Sequence, residues 1–222
     1  MQIQEYPDRE MLALTLADQL ASALKNCLLI HPSASFVVPG GTTPGPIFDS
    51  LCAAALDWDR VHVMLSDERW VPADHDRSNA KLLKEHLFVE RAAAAKFVPF
   101  HMEEETPDSA APILSETLAA EMPISLLLLG RGADLHTASL VPGAVGLDAM
   151  MSDTSPLVVP GSVSGQEPRI SFSGPALAGA MAKHLVIYGD EKRRALEEAA
   201  SMSPTEAPIK AVMDGLTVHW AE

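Results

Sequence analysis

Two rhythms of apolar residues alternate along the chain, one at helical spacing and one in short continuous runs. Residues 9–26 carry the first and read as an opening helix, and residues 35–39, Ser-Phe-Val-Val-Pro, form a first short strand. Ile47, Phe48, Leu51, Cys52 and Ala55 return to helical spacing after Pro44, and residues 61–66 make a second strand. Ser78 is placed to cap a helix running through Leu87. Residues 97–100 are strand-like, 108–121 helical, and 124–129 a central strand whose leucine run suits burial on both faces. Beyond a loop rich in Gly, Ser and Pro near 152–168, residues 170–173 read as a strand. Residues 176–181, 184–188 and 191–201 follow as helix, strand and helix, and 216–220 closes the chain as a strand. This alternation predicts an α/β fold: one domain over residues 1–222, built on a mostly parallel sheet with helices on both faces.

Composition narrows the function classes. At 222 residues the chain can fill such a domain, and its apolar runs are all too short to span a bilayer. The opening MQIQEYPDRE has neither the basic nor the apolar zone of a signal peptide, so a cytoplasmic protein is expected. Cys27 and Cys52 lack metal or redox spacing and are expected as buried reduced thiols. A formal net charge of −14 argues against nucleic acid or an anionic membrane as partner. The same charge means that an anionic substrate would need positive groups gathered locally.

Candidate chemistry gathers at the ends of the predicted strands, where open α/β sheets bind ligands. PGGTTPGP, residues 39–46, follows the first strand. Gly40 and Gly41 permit close backbone approach, Thr42 or Thr43 is expected to cap the next helix, and Pro44 suits its first turn. The segment reads either as a phosphate cradle or as a plain turn and cap, and it lacks the Gly-Lys-Ser/Thr of a P-loop. SDERWVPADHDRSNA, residues 66–80, places Asp67 and Glu68 at the sheet rim and brings Arg69 and Arg77 as partners for hydroxyls or phosphate. A structural salt bridge or cap is the alternative for Asp67 and Arg77. Asp74, His75 and Asp76 are adjacent and cannot readily converge on one ion, so no metal site is expected there. The central strand runs into LGRGADLHTASLVPG, residues 129–143, which delivers His136 behind a glycine turn, open to a catalytic or a packing role. Among the late basic residues, Arg193 and Arg194 read as solvated, while Arg169 and Lys192 lie near strand ends and read as site residues or surface charge.

In order and spacing, GGTTP, SDERWVP, Arg77-Ser78-Asn79, LGRGADLHTASLVPG, PRIS at 168–171 and GDEKR at 189–193 resemble the 6-phosphogluconolactonase family. The likeness runs from about Phe36 to Trp220. It implies a Rossmann-like fold shared with glucosamine-6-phosphate deaminases and ribose-5-phosphate isomerases. It also implies hydrolysis of 6-phospho-D-glucono-1,5-lactone, the second step of the oxidative pentose phosphate pathway, without cofactor or metal; a monomer or weak homo-oligomer is expected.

On that resemblance His136 takes a proton from the attacking water and returns it to the ring oxygen, while Asp67 or Asp134 orients the imidazole or holds sugar hydroxyls. Backbone N–H groups of the glycine turn at Gly132 would stabilise the oxyanion. The phosphate would lie against Gly41, Thr42 and Thr43, with Arg169 and Lys192 as cationic partners, and Gly40, Arg69 and Arg77 complete the substrate-binding set. Ser139 lacks the G-x-S-x-G elbow of a serine nucleophile. Rival readings are a glucosamine-6-phosphate deaminase or related isomerase, and a noncatalytic sugar-phosphate sensor. Two departures stand out. Leu135 occupies a position where the family usually has glycine, and Arg131 one where it usually has an apolar residue. If the loop needs positive φ at Leu135, that residue carries roughly 1–3 kcal/mol of strain, or the loop takes another path.

Overall fold

A computed structural model describes residues 1–130, 135–162 and 165–222. The elements run β1 (Gln2–Glu5), α1 (Arg9–Ile30), β2 (Ala34–Val38), α2 (Gly45–Leu51), β3 (Val61–Leu65), β4 (Asp67–Arg69) and α3 (Asn79–Leu82). They continue with β5 (Lys96–Val98), α4 (Pro107–Leu118), β6 (Leu126–Gly130), α5 (Leu147–Met151), β7 (Val158–Gly161) and β8 (Arg169–Phe172). The last are α6 (Gly174–Ala178), β9 (Ala182–Tyr188), α7 (Asp190–Ala199) and β10 (Leu216–Ala221).

The main sheet has the order β1-β10-β9-β6-β2-β3-β5 and every pairing in it is parallel. Its centre shows why a leucine run suits this position. Leu126 and Leu128 point into one apolar cluster with α1, α2 and α3, and Leu127 and Leu129 into another with α4, α6 and α7. The period of two in a strand divides a uniform run between two cores. Helix α1 contributes Leu12, Leu16, Leu20, Leu24 and Leu28 as one buried stripe, and Asp8 caps it by accepting from the Met11 amide at 2.8 Å.

The strand expected at 170–173 forms, but outside that sheet. β8 lies antiparallel between β4 and β7 in a small separate sheet. Its partner β4 cannot be a parallel neighbour of β3, because only Ser66 separates the two, far short of the crossover such pairing requires. Strands β1, β4 and β7 carry no alternation long enough to be read, being short and partly polar. The exposed side of β7 is closed by Ser115 of α4, whose hydroxyl accepts from the Val158 amide at 3.0 Å.

Candidate active site

β2 leads onward to β3 on one side of the sheet, whereas β6 is followed by β9 on the other, so strand order switches between β2 and β6. At the carboxyl ends of these strands lies a cleft of about 240 Å³. It is lined by Pro39, Gly40, Gly41, Thr42 and Thr43 after β2, by Ser66, Asp67 and Arg69 after β3, by Gly130, His136 and Ala138 after β6, and by Asn79 and Arg169. Folding therefore brings together the glycine–threonine turn, Asp67, Arg69, His136 and Arg169. Arg77 and Lys192 are not among the lining residues: exposed Arg77 pairs with Glu167 at 3.0 Å, and Lys192 sits on α7 past the end of β9. Asp134 and Gly132, like Arg131, lie outside the described residues.

The glycine turn has two distinct requirements. A Cβ on Gly40 would fall 1.8 Å from Asn79 Oδ1, so Gly40 makes room for a buried side chain. Gly41 has φ of +82° with open space around it, so its need is conformational. The threonine cap expected for the next helix is absent. Helix α2 begins after Pro44 with no side-chain cap, and Thr42 and Thr43 line the cleft instead. Pro44 thus precedes the first turn, where Pro46 stands.

Asp67 and Glu68 part company despite being neighbours. Strand alternation turns Asp67 to the cleft and Glu68 into the protein. Glu68 is almost fully buried and accepts from the amides of Arg69, Asn79 and Ala80 at 2.7–2.9 Å and from the Ser78 hydroxyl at 3.0 Å. It does not sit at the rim, as expected, but fastens the end of β4 to the start of α3. Burial pushes its carboxyl pKa up, and the donors oppose that rise. Ser78 does serve as the expected cap, accepting from the Ala80 amide at 3.1 Å. Asn79 Nδ2 donates to the Asp67 carbonyl at 2.8 Å, which joins the glycine turn, α3 and β4 at one point.

The Asp67 carboxylate accepts from Ser139 Oγ at 2.6 Å and Ser66 Oγ at 3.2 Å, with Arg169 Nη1 at 4.0 Å. Arg69 and Arg169 are directly opposite across the β4–β8 pair, a like-charge arrangement that a sheet would not choose for its own stability. Each has a buried Nε that finds no partner among the described residues. Burial lowers the Arg169 pKa; Asp67 opposes this, and the neighbouring Arg69 and Arg77 add to it. Guanidinium nonetheless stays charged at neutral pH, so the paired arginines supply the local positive field that an anionic ligand requires against the overall −14.

His136 enters the cleft just after Leu135, whose φ is +65°. The strained alternative for this loop is thus the one adopted. Ala138 also lies in the left-handed region, at φ of +49°. Ser139 is 2% exposed and lies behind the cleft wall. Asp74, His75 and Asp76 do not converge: His75 Nδ1 accepts from the Arg77 amide, and Asp76 pairs with Lys81. Among the described residues no cluster of His, Cys, Asp and Glu is arranged to hold a metal. Both cysteines are free; Cys52 is buried as expected, but Cys27 only partly. Arg193, expected in solvent, pairs with Glu5 at 2.7 Å and stacks on Trp220.

Asn79, Ser66 and Ala138 line the cleft, although the sequence offers each only as a member of a motif and not as a site residue. Small or neutral side chains carry little chemical signal until a fold brings them to a wall.

Residues 7–220 match the model of the family described as glucosamine-6-phosphate isomerases/6-phosphogluconolactonase. The chain is 38% identical to a 6-phosphogluconolactonase of Pseudomonas putida, covering 99% of this chain and 93% of the relative. It is 37% identical to that of Rhizobium meliloti strain 1021, covering 95% and 94%. The crystal structure of a 6-phosphogluconolactonase from Shewanella baltica OS155 superposes with a TM-score of 0.95 at 30% identity, covering 100% of this chain and 98% of that one. A monomeric glucosamine-6-phosphate deaminase shares the fold at a TM-score of 0.82 and 16% identity, covering 100% and 98%.

Proposed function

The chain belongs to the family of glucosamine-6-phosphate isomerases and 6-phosphogluconolactonases, and from that membership we propose that it hydrolyses 6-phospho-D-glucono-1,5-lactone to 6-phospho-D-gluconate. The observation that carries this reading is one cleft in which an imidazole, a carboxylate and two guanidiniums meet a glycine–threonine turn. That set suits a substrate with an ester at one end and a phosphate at the other.

Lactone hydrolysis needs a water made nucleophilic, a stabilised oxyanion and a proton for the departing ring oxygen. An imidazole nitrogen can take up a proton and give it back, so His136 serves as general base toward water and then as general acid toward the ring oxygen. Asp67, facing the same space, holds sugar hydroxyls or orients the imidazole; Asp134 is the other candidate for that role. Backbone N–H groups around Gly132 supply the oxyanion contacts. Gly40, Gly41, Thr42 and Thr43 cradle the phosphate, with Arg169 as its cation and Arg69 supporting it; Arg77 and Lys192, outside the cleft lining, drop out of the set. We place the protein in the cytoplasm as a monomer or weak homo-oligomer, consistent with its free thiols.

The test is hydrolysis of the phosphorylated lactone beside deamination of glucosamine 6-phosphate. We expect lactone opening well above its spontaneous rate and no release of ammonia. Ammonia release without lactone opening reverses the assignment. Binding of 6-phosphogluconate with a spontaneous rate of lactone opening would make the protein a sensor.

A further inference from the structure

We propose that Ser139, hidden behind the cleft wall, is a positioning residue that keeps the Asp67 carboxylate off Arg169; the inference rests on the lactonase reading. Three observations meet at this side chain. Its hydroxyl donates to Asp67 Oδ2 at 2.6 Å, within the short range of hydrogen bonds to an ionised acceptor. Its amide donates to Ser171 Oγ at 3.2 Å, so one residue is bonded to both β4 and β8. It also belongs to a tight turn closed by reciprocal backbone bonds, Thr137 N to Leu140 O at 3.2 Å and Leu140 N to Thr137 O at 2.9 Å. That turn follows His136 directly. Ser139 therefore fixes the imidazole-bearing segment against the carboxylate that faces it across the cleft.

The contest for Asp67 Oδ2 explains why the contact matters. Arg169 Nη1 stands 4.0 Å from the same oxygen, an ion pair too long for a direct hydrogen bond, and the buried Arg169 Nε has no partner among the described residues. With the hydroxyl removed, Oδ2 loses its nearest donor, and rotation toward the guanidinium becomes its readiest compensation. The carboxylate would then turn from the sugar, and the loose ion pair it already makes with Arg169 at 4.0 Å would close to direct contact before any anion arrives. Ser66 Oγ, at 3.2 Å from the other oxygen, is the longer and weaker restraint on the same rotation. Ser139 itself is 2% exposed and outside the cleft lining, so it acts through Asp67 and not on the substrate.

A double-mutant cycle tests this. Ser139→Ala is expected to lower kcat/KM on the phosphorylated lactone about 10-fold, with kcat falling and KM rising together. In an Asp67→Asn background the same change should alter kcat/KM by less than about twofold, because the carboxylate it positions is gone. Equal losses in both backgrounds, or no loss in Ser139→Ala alone, overturn the proposal. Ser139→Cys retains the volume with a weaker donor and should fall between; it supplies the cycle if the alanine variant does not fold. The cycle is also read calorimetrically on 6-phosphogluconate affinity. A wild-type protein that binds but does not hydrolyse removes the lactonase reading, while coupling or additivity in binding still decides the Ser139 contact. A wild-type protein that does neither overturns both.

Discussion

Leu135 is the residue at which local strain and proposed chemistry meet. Its φ of +65° lies where a side chain crowds the backbone, yet it leads directly into His136 and packs half-buried against the core. Leu135→Gly relieves the crowding but loses apolar contact and adds unfolded-state entropy, so its stability in urea should stay within about 1 kcal/mol of wild type. Leu135→Val keeps an apolar contact but puts a β-branched residue at positive φ, and should cost about 1–3 kcal/mol. Wild-type stability in Leu135→Val would mean that the loop follows another path in solution. For the proposed base, His136→Ala should reduce kcat about 10²- to 10⁴-fold with the fold intact by circular dichroism. Turnover near wild type would take the role from His136. Arg169→Ala should chiefly raise KM for the phosphorylated lactone, and an equal loss on unphosphorylated gluconolactone would show that Arg169 does not read the phosphate.

At the scale of elements, the cleft is a joint among strand ends, and its tightest point is Gly40 against Asn79. A methyl group there meets a buried amide already bonded to the Asp67 carbonyl, so neither partner can retreat without shifting β4 or α3. Gly40→Ala should cost about 1–3 kcal/mol and lower kcat/KM by displacing Asp67; chemical unfolding and steady-state kinetics check both. Gly41→Ala is a different experiment, since it has room but the wrong φ. The regular elements were legible where periodicity ran long, as in α1, β2, β3, β6, β9 and β10. Glu68 was misplaced at the rim because neighbouring residues look alike in sequence, while alternation in a strand sends them to opposite sides. The small antiparallel sheet escaped because β8 is legible but its partners β4 and β7 have only three and four residues, too few to show a rhythm.

Across the whole molecule the two ends of the chain are joined in the sheet, with β1 pairing β10 and β10 pairing β9. A partly buried polar chain crosses this seam: Tyr6 Oη donates to Gln4 Oε1 at 2.9 Å, and His219 bonds Tyr6 through Nδ1 and His184 through Nε2, each at 2.9 Å. One proton per link satisfies the chain with both imidazoles neutral. Burial, reinforced by His184, pushes the His219 pKa down to about 3, and burial lowers that of His184. In the unfolded chain an imidazole has a pKa near 6.5, so between about pH 6.5 and 3 the unfolded state binds the extra proton. Stability must therefore fall as pH falls through that window, by up to about 1.4 kcal/mol per pH unit for His219 alone. Urea unfolding at pH 7 and pH 5 checks this: His219→Gln should be less stable than wild type at pH 7 but lose less between the two. An unchanged pH slope would remove His219 as the cause. The sequence alone determined the alternation of strands and helices, the strand-end positions of the candidate motifs and the family they resemble, because periodicity and motif order are properties of the chain itself. Only the tertiary structure decided that Asp67 faces the cleft while Glu68 clamps α3, that Arg69 and Arg169 stand opposite each other, and that Ser139 lies behind Asp67. Those relations join residues far apart in sequence, and nothing local to either partner encodes which contact forms.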